Sequence, residues 1–271
     1  MPSNEGSLVM ARSCIFCGGR PLTKEHMWAD WLQAYIPRNR TEFITGSTIL
    51  FKDPARTRSK TRTIPDDPHK MQIRCVCASC NNGWMSALQG RIRPILVPLL
   101  NGEPCALTRA QQAQLAAWAT MFTMVAEFSL REKELAAVTQ AERTEFKRTK
   151  AALKNWKFWI AAIDHPDWIG RYVHTSMQIG SKGQISKITD SGIPVPNTQT
   201  TTFVVNKLYF HTLSSTAGIN LRKQQIDPAI ARRIWPSRSK AIKWPPRDFL
   251  SPSEADWLSM AYFRGAISRT R

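Results

Sequence analysis

Two CxxC pairs, Cys14-x-x-Cys17 and Cys77-x-x-Cys80, constrain this chain more than any other feature. Each short spacing lets one turn present both sulfurs to a single ion, and four thiolates are the number a tetrahedral structural Zn²⁺ takes. Gly18 and Gly19, directly after the first pair, suit the tight backbone of such a knuckle. The pairs lie 59 residues apart, a longer gap than in a compact zinc ribbon. Cys75 is an alternative to Cys77 as a ligand, at a less usual spacing to Cys80. Cys105, isolated between Pro104 and an apolar run, reads as a core residue.

Clustered thiols imply metal rather than disulfide where cysteines stay reduced. The N-terminal residues MPSNEGSLVMARS hold no apolar run that could act as a signal peptide. The most apolar long stretch, Leu115 to Leu130, is sixteen residues long and contains Glu127, too short and too acidic to span a bilayer. A cytoplasmic protein without a membrane partner is therefore expected. Ten Trp and eleven Phe within 42% hydrophobic content supply a sizeable core. Lys and Arg outnumber Asp and Glu by 38 to 20, a formal charge of +18, so a polyanion is the natural counter-surface.

Along the chain, Thr23 to Tyr35 places Met27, Trp31, Leu32 and Tyr35 at helical intervals, although His26 and Trp28 could equally end a hairpin. Lys52 to Arg62 carries five basic residues against one acid and reads as a loop that touches phosphate through Arg56, Arg58, Lys60 and Arg62. A helix is expected from Asn81 to Gln89, ended by Gly90 and Pro94. Leu107 to Leu130 reads as one long buried helix with Thr108 as N-cap, and Thr139 to Leu153 as an amphipathic basic helix. Within the first of these, Glu127 is expected to satisfy a buried Arg or face solvent. Strand-like runs follow at Trp156 to Ile163, Tyr172 to Ile179 and Thr200 to Leu213. Arg222 to Arg247, with eight basic residues, one acid, Trp235 and Trp244, forms a second basic patch that offers Arg232, Arg233, Arg238, Lys240 and Lys243 to nucleic acid. A short helix capped by Ser251 covers Pro252 to Phe263.

Between the knuckles, "LTKEHMW" puts Glu25 beside His26, and the second knuckle runs straight into Asn81 and Asn82. A first CxxC, an acid-His dipeptide, then a second CxxC followed by Asn on a helix resembles the HNH (ββα-metal) endonuclease family, in a bacterial and phage subgroup, over roughly residues 12 to 100. The resemblance implies metal-assisted phosphodiester hydrolysis. In that pattern His26 is the general base, while Glu25 and Asn81 hold one divalent cation, Mg²⁺ or Mn²⁺. Asn82 shares or takes over the role of Asn81. Gln72 stands at the position of the family's middle Asn, which orients the histidine, with His69 the other candidate. The Zn²⁺ held by Cys14, Cys17, Cys77 and Cys80 is structural and fixes His26 opposite Asn81.

The expected fold is α+β: a zinc-stapled ββα-metal module over residues 1–104, then a basic helix-plus-antiparallel-sheet region over 105–271. The expected function is a metal-dependent endonuclease acting on DNA, with RNA a further substrate class. The alternative is a zinc-containing nucleic-acid-binding protein, regulatory or inhibitory, that lacks catalysis.

Overall fold

The knuckles and the segment between them fold as an antiparallel strand pair that runs into a helix. The structure is a computed structural model, and it describes residues 13–38, 43–49, 58–64, 68–129, 136–179, 195–218 and 226–260. Strand β1 (Leu22–His26) is followed by a short 3-10 helix (Asp30–Tyr35), and by strands β2 (Phe43–Ile49) and β3 (Arg58–Ile64), which pair with each other. Strand β4 (Gln72–Cys77) returns antiparallel to β1, with Leu22 opposite Cys77 and His26 opposite Gln72. The hairpin reading of His26 thus prevails for β1, while the helical spacing belongs to the 3-10 turn after it.

Arg58, Lys60 and Arg62 lie on β3 and not in a loop. The alternating Thr61, Thr63 and Ile64 give this stretch the β-branched pattern of a strand, and their pairing with β2 outweighs the run of charge. Lys52 and Arg56 fall outside the described residues.

From β4 the chain enters one turn of helix α1 (Ala78–Cys80), then a wide turn over Asn81–Met85 with a kink at Gly83, then helix α2 (Ser86–Asn101). The helix passes through Gly90 and Pro94, where the sequence suggested a stop, and on through Pro98. Each proline forfeits a backbone bond. Leu88, Ile92, Leu96, Leu99 and Leu100 nevertheless stay buried along one face, and that burial outweighs the loss. The helix ends at Gly102, whose φ of 70° is left-handed.

Strand β5 (Cys105–Thr108) leads into helix α3 (Arg109–Ala126), where Thr108 and Gln111 form a reciprocal capping box. Leu107 and Thr108 therefore belong to the strand and cap, and the helix closes in a 3-10 turn at Glu127–Ser129. Helix α4 (Gln140–Thr149) begins at a second capping box on Thr139. Strands β6 (Trp156–Ala162), β7 (Tyr172–Met177), β8 (Thr198–Val205), β9 (Leu208–Ser215) and β10 (Arg232–Trp235) build an antiparallel sheet in the order β10-β6-β9-β8-β7. The single run expected from Thr200 to Leu213 is a hairpin, turned at Asn206 with φ 47°. Strand β11 (Ala241–Trp244) pairs with β5, and helix α5 (Pro252–Ser259) starts at a capping box on Ser251.

The molecule is thus mixed α+β with antiparallel sheets. Helix α3 packs on the large sheet through Trp118 and Phe122, whose rings lie 5.7 and 4.1 Å from Phe203. Trp28, fully buried just after β1, meets Phe122 at 5.0 Å and Phe203 at 6.3 Å. One continuous hydrophobic cluster therefore runs from Cys14 to Trp244, and it backs the β1–β4 hairpin with a rigid layer. Glu127 does pair with a buried arginine: Arg143 Nη2 lies 2.6 Å from its carboxylate, which also accepts from the Ala137 and Val138 amides. Among the described residues no helix is long and apolar enough to cross a membrane.

Candidate metal and catalytic centre

The four knuckle sulfurs converge. The Sγ atoms of Cys14, Cys17, Cys77 and Cys80 all lie within 4.8 Å of one another, the only such group of potential ligands among the described residues. Cys17 and Cys77 are 3.5 Å apart, and Cys17 and Cys80 3.6 Å. A tetrahedron with Zn–S bonds of about 2.3 Å has edges of about 3.8 Å, so these separations fit one zinc ion. Cys75 stays out of the group: its thiol is fully buried, and its carbonyl accepts from the Ile15 amide at 2.9 Å. Cys105 is half-buried on β5.

Local backbone builds the cage. The Gly18 amide closes the first knuckle onto the Cys14 carbonyl at 2.8 Å, with Gly18 at φ 73°. Gly19 sits tight against the cage, since a Cβ there would stand 3.2 Å from the Cys17 sulfur and push it by a few tenths of an ångström. The thiols differ in acidity. Burial alone raises Cys17, but the Gly19 amide and bonds from the neighbouring cysteines outweigh it and bring the thiol down to about 7. Burial pushes Cys80 up to about 12, opposed by the Trp84 side chain.

At the far end of the hairpin, His26 is gripped from both sides. Asp30 Oδ1 is 2.9 Å from Nδ1, and Gln72 Nε2 is 2.8 Å from Nε2. A carboxylate only accepts, so Asp30 holds the ring proton on Nδ1 and leaves the Nε2 lone pair to accept from the Gln72 amide. Asp30 itself accepts from Gln33 at 3.3 Å. This residue escaped sequence reading: its signal is an acid four positions after the histidine, at the start of the 3-10 helix.

Glu25, half-buried on β1, lies beside Asn81 at the start of the wide turn. Burial pushes its carboxyl up to about 7, against a hydrogen bond from Asn81, and the nearby Asp30 charge adds to the rise. The Asn81 amide also reaches Thr23 Oγ1 at 3.3 Å, and Thr23 donates to the Val76 carbonyl at 3.1 Å, so hairpin and helix are stitched at this point. Asn82 is exposed on the same turn. A half-buried carboxylate with a carboxamide beside it suits a hard cation that keeps several waters. In the metal-free chain, ionising Glu25 costs stability. The cost is absent below the ordinary value of 4.5, grows with pH and is complete above about 7. Glu25→Gln is therefore expected to raise the urea midpoint of the metal-free chain above pH 7 and leave it unchanged below pH 4.5.

The remaining histidines are committed elsewhere. His69 bonds the Ile36 carbonyl at 2.8 Å, so Gln72 and not His69 reaches His26. His174 and His211 are fully buried, and burial pulls both down to about 3. His165 caps a 3-10 turn through the Asp167 amide.

The tryptophans of the motif and of the second basic patch pack into or against the core, while Trp257 is exposed. Trp31 and Trp118 both donate to Gln89 Oε1, at 3.3 and 3.0 Å. Trp84 packs edge-on against Phe16 at 5.0 Å. Trp235 donates to the Leu153 carbonyl and Trp244 to that of Leu99, so the aromatic residues of the second basic patch are packed, not offered for stacking. Around them, Arg232, Arg238, Lys240 and Lys243 are exposed and Arg233 is half-buried. Lys157 is pulled down to about 8 by burial and by the Arg238 charge.

Comparison of the chain with protein-family models, with curated proteins and with solved structures finds no match.

Proposed function

We propose that the chain is a metal-dependent endonuclease of the HNH (ββα-metal) kind, hydrolysing DNA phosphodiesters beside a structural zinc. The observation that carries this reading is the convergence of Glu25 and Asn81, with His26 gripped by Asp30 and Gln72, on a hairpin whose other end holds four sulfurs. Zinc in that cage would be a staple: Cys77 ends β4 and Cys80 ends α1, directly before Asn81, so closing the cage would set Asn81 against β1.

His26 accepts the proton of the attacking water at Nε2, once the Gln72 amide has moved aside for it. Asp30 keeps the opposite nitrogen protonated and steadies the imidazolium that forms. A divalent cation held by Glu25 and Asn81, Mg²⁺ or Mn²⁺, would supply charge stabilisation at the phosphate and the leaving oxygen. Lys and Arg in excess supply sequence-independent affinity for the backbone.

Supercoiled plasmid incubated with Mg²⁺ or Mn²⁺ should be nicked, and magnesium-free buffer with EDTA should stop it. No nicking under any divalent ion would refute hydrolysis. Asp30→Asn is expected to lower kcat by about tenfold with KM unchanged, the loss expected of a group that only orients the base. An equal fall in DNA affinity would assign Asp30 to binding instead.

One observation favours a second reading, a zinc-containing nucleic-acid-binding protein without catalysis. Both ring nitrogens of His26 already have partners, and Asn81 is a neutral ligand. Retained DNA binding without nicking is its signature.

A further inference from the structure

We propose that the open cavity between the first knuckle and helix α4 receives backbone phosphates of the nucleic acid on which the adjoining hairpin acts. This rests on the nucleic-acid half of the reading above and not on hydrolysis. The cavity, about 720 Å³, is bounded by Phe16, Cys17 and Gly18 on one side and by Gln140, Lys147 and Arg148 on the other. No carboxylate is among the described residues that line it.

Lys147 and Arg148 form the last turn of α4, and Lys150 caps it, with its ammonium 4.8 Å over the Trp84 ring. The nearest acid in sequence, Glu145, is engaged by Arg148 through Nε at 2.9 Å and Nη2 at 2.7 Å. Like charges held together in a concave site lower their energy by taking up an anion.

The thiolates are the rival partner, since the charge of Cys80 favours the Lys150 ammonium. Backbone amides already serve the sulfurs, however. Gly19 donates to the Cys17 sulfur at 3.4 Å. That leaves Lys147 for an external anion, which Arg148 joins by exchanging its Glu145 partner for phosphate. The cavity also lies within reach of the proposed site. From Cys77, whose sulfur is 3.5 Å from Cys17, to Gln72, the partner of His26, β4 spans about 17 Å at ~3.3 Å per residue. That is about five base pairs of duplex at 3.4 Å each.

The test combines Lys147→Gln with Arg148→Gln, the two cations that line the cavity. A short labelled DNA duplex is titrated without divalent ions across a KCl series. Affinity at about 0.1 M salt should fall about tenfold or more, and the log–log salt slope should flatten by about 2. Zinc content and the thermal midpoint should not change. Glu145→Gln, which frees Arg148, should tighten binding. The proposal is overturned by unchanged affinity and slope in the double variant, by weakening that comes only with zinc loss, or by absence of duplex binding in the wild type. The two readings separate cleanly. A wild type that binds through these two cations yet never nicks DNA refutes hydrolysis and keeps this surface. Nicking and affinity both untouched in the double variant refute this surface and keep hydrolysis.

Discussion

Plasmid nicking by His26→Ala should fall by about 10²–10⁴-fold, the usual contribution of a positioned general base. No other histidine can take the job. Two are fully buried and held neutral, His69 is tied to the Ile36 carbonyl, and His165 caps a distant turn. The His26 side chain retains 32% exposure, enough to meet a substrate while its ring is fixed by Asp30 and Gln72. Alanine there removes no core contact, so zinc content, thermal midpoint and DNA affinity should match the wild type. Rates are compared at saturating plasmid with Mg²⁺, and affinity is measured separately without it. Wild-type turnover in His26→Ala would remove the imidazole from the mechanism.

Cys77→Ser should have the largest structural effect. Structural zinc sites contribute apparent binding energies of about 10–16 kcal/mol, and that binding is folding energy. Cys77 sits opposite Leu22 at the last position of β4, is buried, and hands the chain to the helix that carries Asn81. Replacing it should abolish zinc retention, and limited proteolysis should then cut between residues 68 and 101, where the wild type should resist. Cys75→Ser is the matched control. It alters a fully buried thiol two positions away that lies outside the cage, so it should cost core stability yet keep one zinc per chain. A Cys77→Ser chain that stays folded and protease-resistant without metal would refute the stapling role.

What the sequence made legible is mostly local. Each CxxC spacing fixes its own pair of sulfurs, Thr108 and Thr139 mark the starts of their helices, and β-branched runs mark the large sheet, although alternation suggested a half-buried sheet and β6, β8 and β9 are buried along their whole length. The nearness of Glu25 to Asn81 was expected from the family pattern alone, because no local signal joins residues so far apart. Tertiary burial decided the points that went the other way. Helix α2 continues through Pro94 and Pro98 because its leucines are needed in the core, and β8 and β9 turn at Asn206-Lys207 without the glycine that usually flags a hairpin. Asp30 was hidden for a related reason. Helical spacing from Thr23 to Tyr35 left a helix and a hairpin end both open, whereas β1 ends at His26 and the 3-10 turn after it brings the acid to the ring. The cationic end of α4 gave no sign of lying against the first knuckle, since that contact joins residues more than a hundred positions apart, as in the bond from Gln140 to the Ile15 carbonyl.

Metal stoichiometry under native conditions goes to the heart of this site. Native mass spectrometry of the purified chain should give one zinc ion per polypeptide, with Cys14, Cys17, Cys77 and Cys80 resisting alkylation until a chelator strips the ion. A folded chain that carries no metal, and whose four knuckle thiols alkylate freely, would contradict it.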